Sequence, residues 1–299
     1  MIVSTEHVHK HYGKVEVLRD INLQVPEGAA FALIGTNGAG KTTTLRTLVN
    51  IIKPDSGVAT VFGTPTHSLS HEDYLQIGYV SESQKLPGRL SIEQYFSYLR
   101  ALYPNWDKSL ELGLRKKFEL PPSRSLNKLS HGMRMKTVLT AALSFRPKLL
   151  ILDEPLSGLD SLVRDEVVEG LLEQADETTI LISSHELSEL ENFTTHIAFM
   201  SSGQLAFQEP IESLRDRFRQ VTVTLAAKKA LPDPLPASWL SLQISGHALH
   251  FVDTAFRDRE QLYQSLTKHF GAVQFEEEAM TLREISKTLI LDARKGSGK

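Results

Sequence analysis

Apolar positions along the chain change period several times, and each change predicts a different element. Residues 2–12 (IVSTEHVHKHY) and 15–25 (VEVLRDINLQV) alternate imperfectly between apolar and polar, the period of a half-buried strand, before PEG turns the chain. FALIG (31–35) is a short continuous apolar run ending in glycine. KTTTLRTLVN follows with helical spacing that puts Leu45, Leu48 and Val49 on one face. VATVFG (58–63) and IGYV (77–80) predict further strands. Residues 82–145 then read as a helical insertion, with Ser91 and Gln94 forming a capping box near its start. Strand texture returns in LLILD (149–153), TTILIS (178–183) and IAFM (197–200), separated by helix-like segments. Apolar strands alternating with helices predict an α/β fold with a mostly parallel sheet covered on both faces.

The texture changes again after Arg219. VTVTLAA, the proline-rich PDPLPAS, WLSLQI and ALHFVD lead into a helix at DREQLYQSLTKHFG, a strand at AVQFEE and a last helix at TLREISKTLILDA. Thr281 and Glu284 make another capping box. The expected organisation is a main domain over 1–218, with an antiparallel β part and the helical subdomain at 82–145. A small α+β domain without a chemical motif follows over 219–294, and 295–299 form a flexible tail.

Composition narrows the classes. A chain of 299 residues, 41% apolar and 23% charged, is an ordinary globular one. A net charge of −3 argues against a dedicated nucleic-acid surface. The absence of cysteine excludes disulfides and thiolate metal sites. MIVSTEHVHK lacks the apolar core of a signal peptide, and no run of about 18 apolar residues predicts a membrane span. Any membrane connection is expected to come through a partner.

The clearest chemistry is GTNGAGKT (35–42), which matches G-x-x-x-x-G-K-[ST] between an apolar strand and a helix. Glycines let backbone N–H groups turn inward around phosphates. Lys41 supplies a point charge and Thr42 a hydroxyl for Mg²⁺. In LLILDEP (149–155), two carboxylates follow a buried strand. Asp153 is placed to hold Mg²⁺ and Glu154 to act as general base toward water. LSHGM (129–133) puts a serine and a glycine at a helix start, a place where N–H groups meet anions or where the serine simply caps the helix.

GTNGAGKT, LSHGM, LLILDEP, SGLD and SSH, in this order over residues 2 to 218, make the chain resemble the ATP-binding cassette (ABC) proteins. SESQKLPGRLSIEQYF and ALYPNWD are similar to the ATPase subunits of bacterial ABC exporters whose membrane subunit is a separate chain. The resemblance implies a P-loop NTPase (RecA-like) fold, ATP and Mg²⁺ as ligands, and ATP hydrolysis coupled to transport. It implies that Gly35, Thr36, Asn37, Gly38, Ala39 and Gly40, with Lys41, Thr42 and Thr43, hold the nucleotide, and that Tyr12 stacks on adenine. His185 would touch the γ-phosphate, and Asp160 would cross a dimer interface. Ser130 and Gly132 would complete the ATP site of a facing subunit, either a second copy or a paralogous ATPase subunit. Two departures stand out. The family's Mg²⁺-sensing glutamine is replaced by Glu82, with Gln84 two residues on, and His131 and Met133 are not the usual signature residues. The implied partner is an integral membrane permease, and the implied location is the cytoplasmic face of a bacterial inner membrane. The alternative is an ABC ATPase acting on ribosomes or DNA; one cassette and no basic surplus weigh against it.

Overall fold

In the computed structural model, described for residues 1–175, 177–225, 234–271 and 273–296, the first alternating segments form a hairpin of β1 (Val3–Tyr12) and β2 (Val15–Ile21). After β3 (Gln24–Val25) come β4 (Ala30–Gly35), α1 (Lys41–Leu48) and an antiparallel pair, β5 (Ser56–Val61) and β6 (Thr64–Pro65). Strands β2, β1, β5 and β6 lie side by side as the antiparallel part, with β3 also on β1. A short α2 (His71–Tyr74) precedes β7 (Ile77–Ser81).

The insertion contains α3 (Ile92–Leu102), α4 (Lys108–Lys117) and α5 (His131–Ser144). Then come β8 (Leu149–Asp153), α6 (Ser161–Leu172), β9 (Thr179–Ser184), β10 (His196–Ser201) and β11 (Gln204–Pro210). The second sheet has the order β11-β10-β4-β9-β8-β7, and β10 through β7 are parallel. Every residue of β4, β8 and β9 is buried, as strands covered on both faces require. Parallel pairing also brings the ends of β4, β7, β8 and β9 to one edge of the sheet, where ligands bind in folds of this type. Gly35, Ser81, Asp153 and Ser184 end those strands.

The chain divides into two compact units. The first contains residues 1–185 and 189–208. The second contains 209 onward together with Glu186–Ser188, so its start lies upstream of residue 219. It is built from α7 (Ile211–Arg217), β12 (Arg219–Thr224), β13 (Trp239–Ser245), β14 (Ala248–Asp253), α8 (Arg259–Phe270), β15 (Gln274–Ala279) and α9 (Leu282–Gly296). Its four strands form an antiparallel sheet, β13-β14-β12-β15. Val221, Val223, Leu249 and Phe251 pack under Leu262 and Leu266 of α8. Leu187, wholly buried, donates its backbone N–H to Ser286 Oγ of α9 at 3.4 Å. Lys295 and Gly296, expected in the tail, continue α9; residues 297–299 lie outside the described residues, as do the end of VTVTLAA and the start of PDPLPAS.

Candidate active site

The loop between β4 and α1 is shaped by two glycines in the left-handed region, Gly38 at φ 82° and Gly40 at φ 105°. Gly40 has a second constraint: a Cβ there would crowd Leu18 Cδ2 at 2.8 Å and the Val17 carbonyl oxygen at 3.0 Å. The loop and the first turn of α1 enclose a cavity of about 210 Å³ lined by residues 36–43, with Val17 and Glu154 on its walls. Backbone N–H groups and the N-terminus of α1 make this a natural anion cradle. Lys41 is almost fully buried, and its ammonium donates to the carbonyl of Gly35 at 2.7 Å and lies 3.0 Å from Glu154 Oε1.

The two carboxylates of LLILDEP take different partners. Asp153, buried at the end of β8, accepts from Thr42 Oγ1 at 2.8 Å and from Ser183 Oγ at 3.1 Å. Tyr79 OH stands 3.5 Å from its other oxygen. Burial raises the Tyr79 pKa and outweighs the Arg46 hydrogen bond, so the phenol keeps its proton. Glu154 sits at φ 51°, unusual for a residue with a side chain, and its N–H donates to Ser183 Oγ at 2.9 Å. Its Oε1 faces Lys41, and its Oε2 is 3.1 Å from His185 Nδ1. With a carboxylate as acceptor, the imidazole donates through Nδ1, leaving Nε2 turned elsewhere. Lys41, Glu154 and His185 thus form a continuous chain at the mouth of the loop.

Ser183 was not singled out in the sequence. Its pairing in register with Asp153 across β8 and β9 makes it the joint that orients both carboxylates. The visible signals are its place in the SSH stretch and the two adjacent hydroxyls, Ser183 and Ser184, at the C-terminal end of β9.

Tyr12 ends β1 with its ring 49% exposed, and the paired strand β2 carries Val17 on the cavity wall. Glu82 follows β7; its N–H donates to the Asp153 carbonyl at 3.1 Å, and its residue is exposed. Gln84 lies with Glu82, His131 and Arg134 around a tight cleft, and its Oε1 is buried without a hydrogen-bond partner among the described residues. Ser130, Gly132 and Asp160 do not line the loop cavity. They are gathered elsewhere: Ser130 caps α5, Asp160 caps α6, and a Cβ on Gly132 would lie 2.9 Å from Val163 Cγ1 of α6.

The residues present suit both groups the sequence implied. The cradle matches a triphosphate, and the adjacent Thr42 hydroxyl and Asp153 carboxylate are hard oxygen donors of the kind Mg²⁺ takes together with phosphates.

Comparison with known proteins gives a consistent picture. The family model described as ABC transporter matches residues 18–157. The chain is 34% identical over 228 residues to the bacitracin transport ATP-binding protein BcrA of Enterococcus faecalis, covering 74% of this chain and 73% of that one. It is 32% identical over 211 residues to the Nod factor export ATP-binding protein I of Cupriavidus pinatubonensis, covering 68% and 64%. A solved ATP-binding subunit of an ABC transporter superposes with a TM-score of 0.65 at 25% identity, over 72% of this chain and 92% of that one.

Proposed function

The chain belongs to the ABC transporter family of ATP-binding, ATP-hydrolysing proteins, and from that membership we propose that it is the motor subunit of a membrane exporter. A relative named for bacitracin transport supports the coupling to transport, and one named for Nod factor export supports the direction. No helix among the described residues is long and apolar enough to cross a membrane. The transport pathway in this reading belongs to a separate integral membrane permease. This chain would sit at that partner's cytoplasmic face. Two cassettes, this chain with a second copy or a paralogous ATPase subunit, close on ATP and open after hydrolysis.

The observation that carries the mechanism is the Lys41–Glu154–His185 chain at the mouth of the phosphate loop. ATP phosphates in the loop compete with Glu154 for the Lys41 ammonium. That exchange frees the Glu154 carboxylate to accept a proton from water. The water oxygen bonds to the γ-phosphorus as the bond to the β,γ-bridging oxygen breaks, and that electron pair leaves with ADP. His185, through Nδ1, fixes the orientation of Glu154. Mg²⁺, when held by Thr42 and Asp153 with Glu82 nearby, neutralises charge on the phosphate oxygens. Ser130 and Gly132 of the facing subunit close over the γ-phosphate, Asp160 links the two sites, and Tyr12 stacks on adenine. Positioning and electrostatics supply the rate.

Glu154→Gln tests this. The variant should bind ATP with wild-type affinity, form a stable dimer on size-exclusion, and lose about 10²-fold or more in hydrolysis. Hydrolysis at the wild-type rate would remove Glu154 from the role of base. Purification of the tagged chain from detergent-solubilised membranes should bring down an integral membrane protein; recovery of the chain alone would remove the permease.

A further inference from the structure

Where the ABC signature usually has glycine, this chain has His131, and the structure gives its side chain a specific partner. The imidazole Nε2 lies 3.0 Å from the backbone carbonyl oxygen of Ser157. A carbonyl can only accept, so Nε2 carries a proton and donates. Ser157 belongs to the turn that leaves β8: its own N–H donates to the carbonyl of Glu154 at 3.2 Å. Gly158, next in the chain, is at φ 67°, and the place a Cβ would take is 3.7 Å from the same Nε2, so the ring also rests on this turn. One residue further along α5, Gly132 lets the helix start press against Val163 in the first turn of α6. Two successive residues of the signature therefore grip the segment that runs from Glu154 to α6, one by a hydrogen bond and one by close approach.

We propose that His131 is a positioning residue that relays the engagement of Ser130 in one composite ATP site to Glu154 in the chain's own site. The path runs from Ser130 through the His131 ring to the Ser157 carbonyl, and through the Ser157–Glu154 turn to the carboxylate. The relay rests on the reading that Ser130 faces the nucleotide of the opposing cassette. With glycine at 131 there is no side chain to make this link, and the two segments would be joined only through the Gly132–Val163 contact. His131 is exposed, so substitution should leave the fold intact.

The experiment compares His131→Phe with His131→Gln. Phenylalanine keeps the ring and loses the donor. Glutamine carries an N–H donor the same number of bonds from Cβ as the imidazole Nε2. H131F should lower kcat about fivefold, the size of one net hydrogen bond, and reduce the Hill coefficient for ATP toward 1, with KM and melting temperature unchanged. H131Q should restore both kcat and cooperativity. If H131F keeps wild-type kcat and cooperativity, or if H131Q loses as much as H131F, the relay is wrong. Ser130→Ala separates this from the underlying reading. A fully active S130A removes the composite site and the relay with it; an inactive S130A beside a wild-type H131F removes the relay alone.

Discussion

A non-glycine residue held at positive φ costs about 1–3 kcal/mol, and Glu154, the candidate base, is one of several such residues in this chain. The strain aims its carboxylate between Lys41 and His185. What holds it there is Ser183, fully buried, which accepts from the Glu154 N–H and donates to Asp153 Oδ1. Ser183→Ala would leave the Glu154 N–H without that partner. We expect a loss of about 1–3 kcal/mol in urea-denaturation stability and a fall in kcat of at least about tenfold. A variant with wild-type kcat would show that the carboxylates position themselves. Lys41 and Thr42 were legible in the sequence because their motif is local: loop, charge and hydroxyl are consecutive. Ser183 was not, because its role depends on the register between two strands that meet only after folding.

Helix starts were legible for the same reason. The capping boxes read at Ser91 with Gln94 and at Thr281 with Glu284 both form. What was not legible is the lock between α3 and α4. Glu111 of α4 is wholly buried and takes hydrogen bonds from Arg100, Arg115 and Trp106. Glu93 of α3 bridges the same two arginines. Spacing along one helix cannot show this, since Arg100 arrives from another. Burial alone would raise the Glu111 pKa, but the Arg100, Arg115 and Trp106 hydrogen bonds outweigh it and hold the carboxyl below its ordinary value. Arg115 does the same for Glu93. A lowered folded-state pKa means the folded chain binds fewer protons, so this stabilisation is complete above the ordinary glutamate pKa of 4.5 and is lost as pH falls below it. Glu111→Ala leaves two arginines facing a buried gap and should cost about 3–5 kcal/mol in urea. The stability difference between wild type and variant should shrink on acidification from pH 6 toward pH 3; a constant difference would refute the ion-pair account.

At the scale of the molecule, the six-stranded sheet is what gathers the site, since its parallel order brings β4, β8 and β9 to a common edge. That these strands run parallel was legible from the alternation of apolar strands with helices; their order was not. The division into units was harder to see, because three residues just after His185 belong to the second unit. Leu187 is wholly buried and its N–H is hydrogen-bonded to Ser286.

That interleaving also sets an order during synthesis. Leu187 and Ser286 are 99 residues apart, so a ribosome adding about 5–20 residues per second makes Leu187 roughly 5 to 20 seconds before its anchor exists. The phosphate loop, finished by Thr43, precedes both. Lys41, Glu154 and His185 are therefore all made well before the segment just after His185 gains its hydrogen bond to α9.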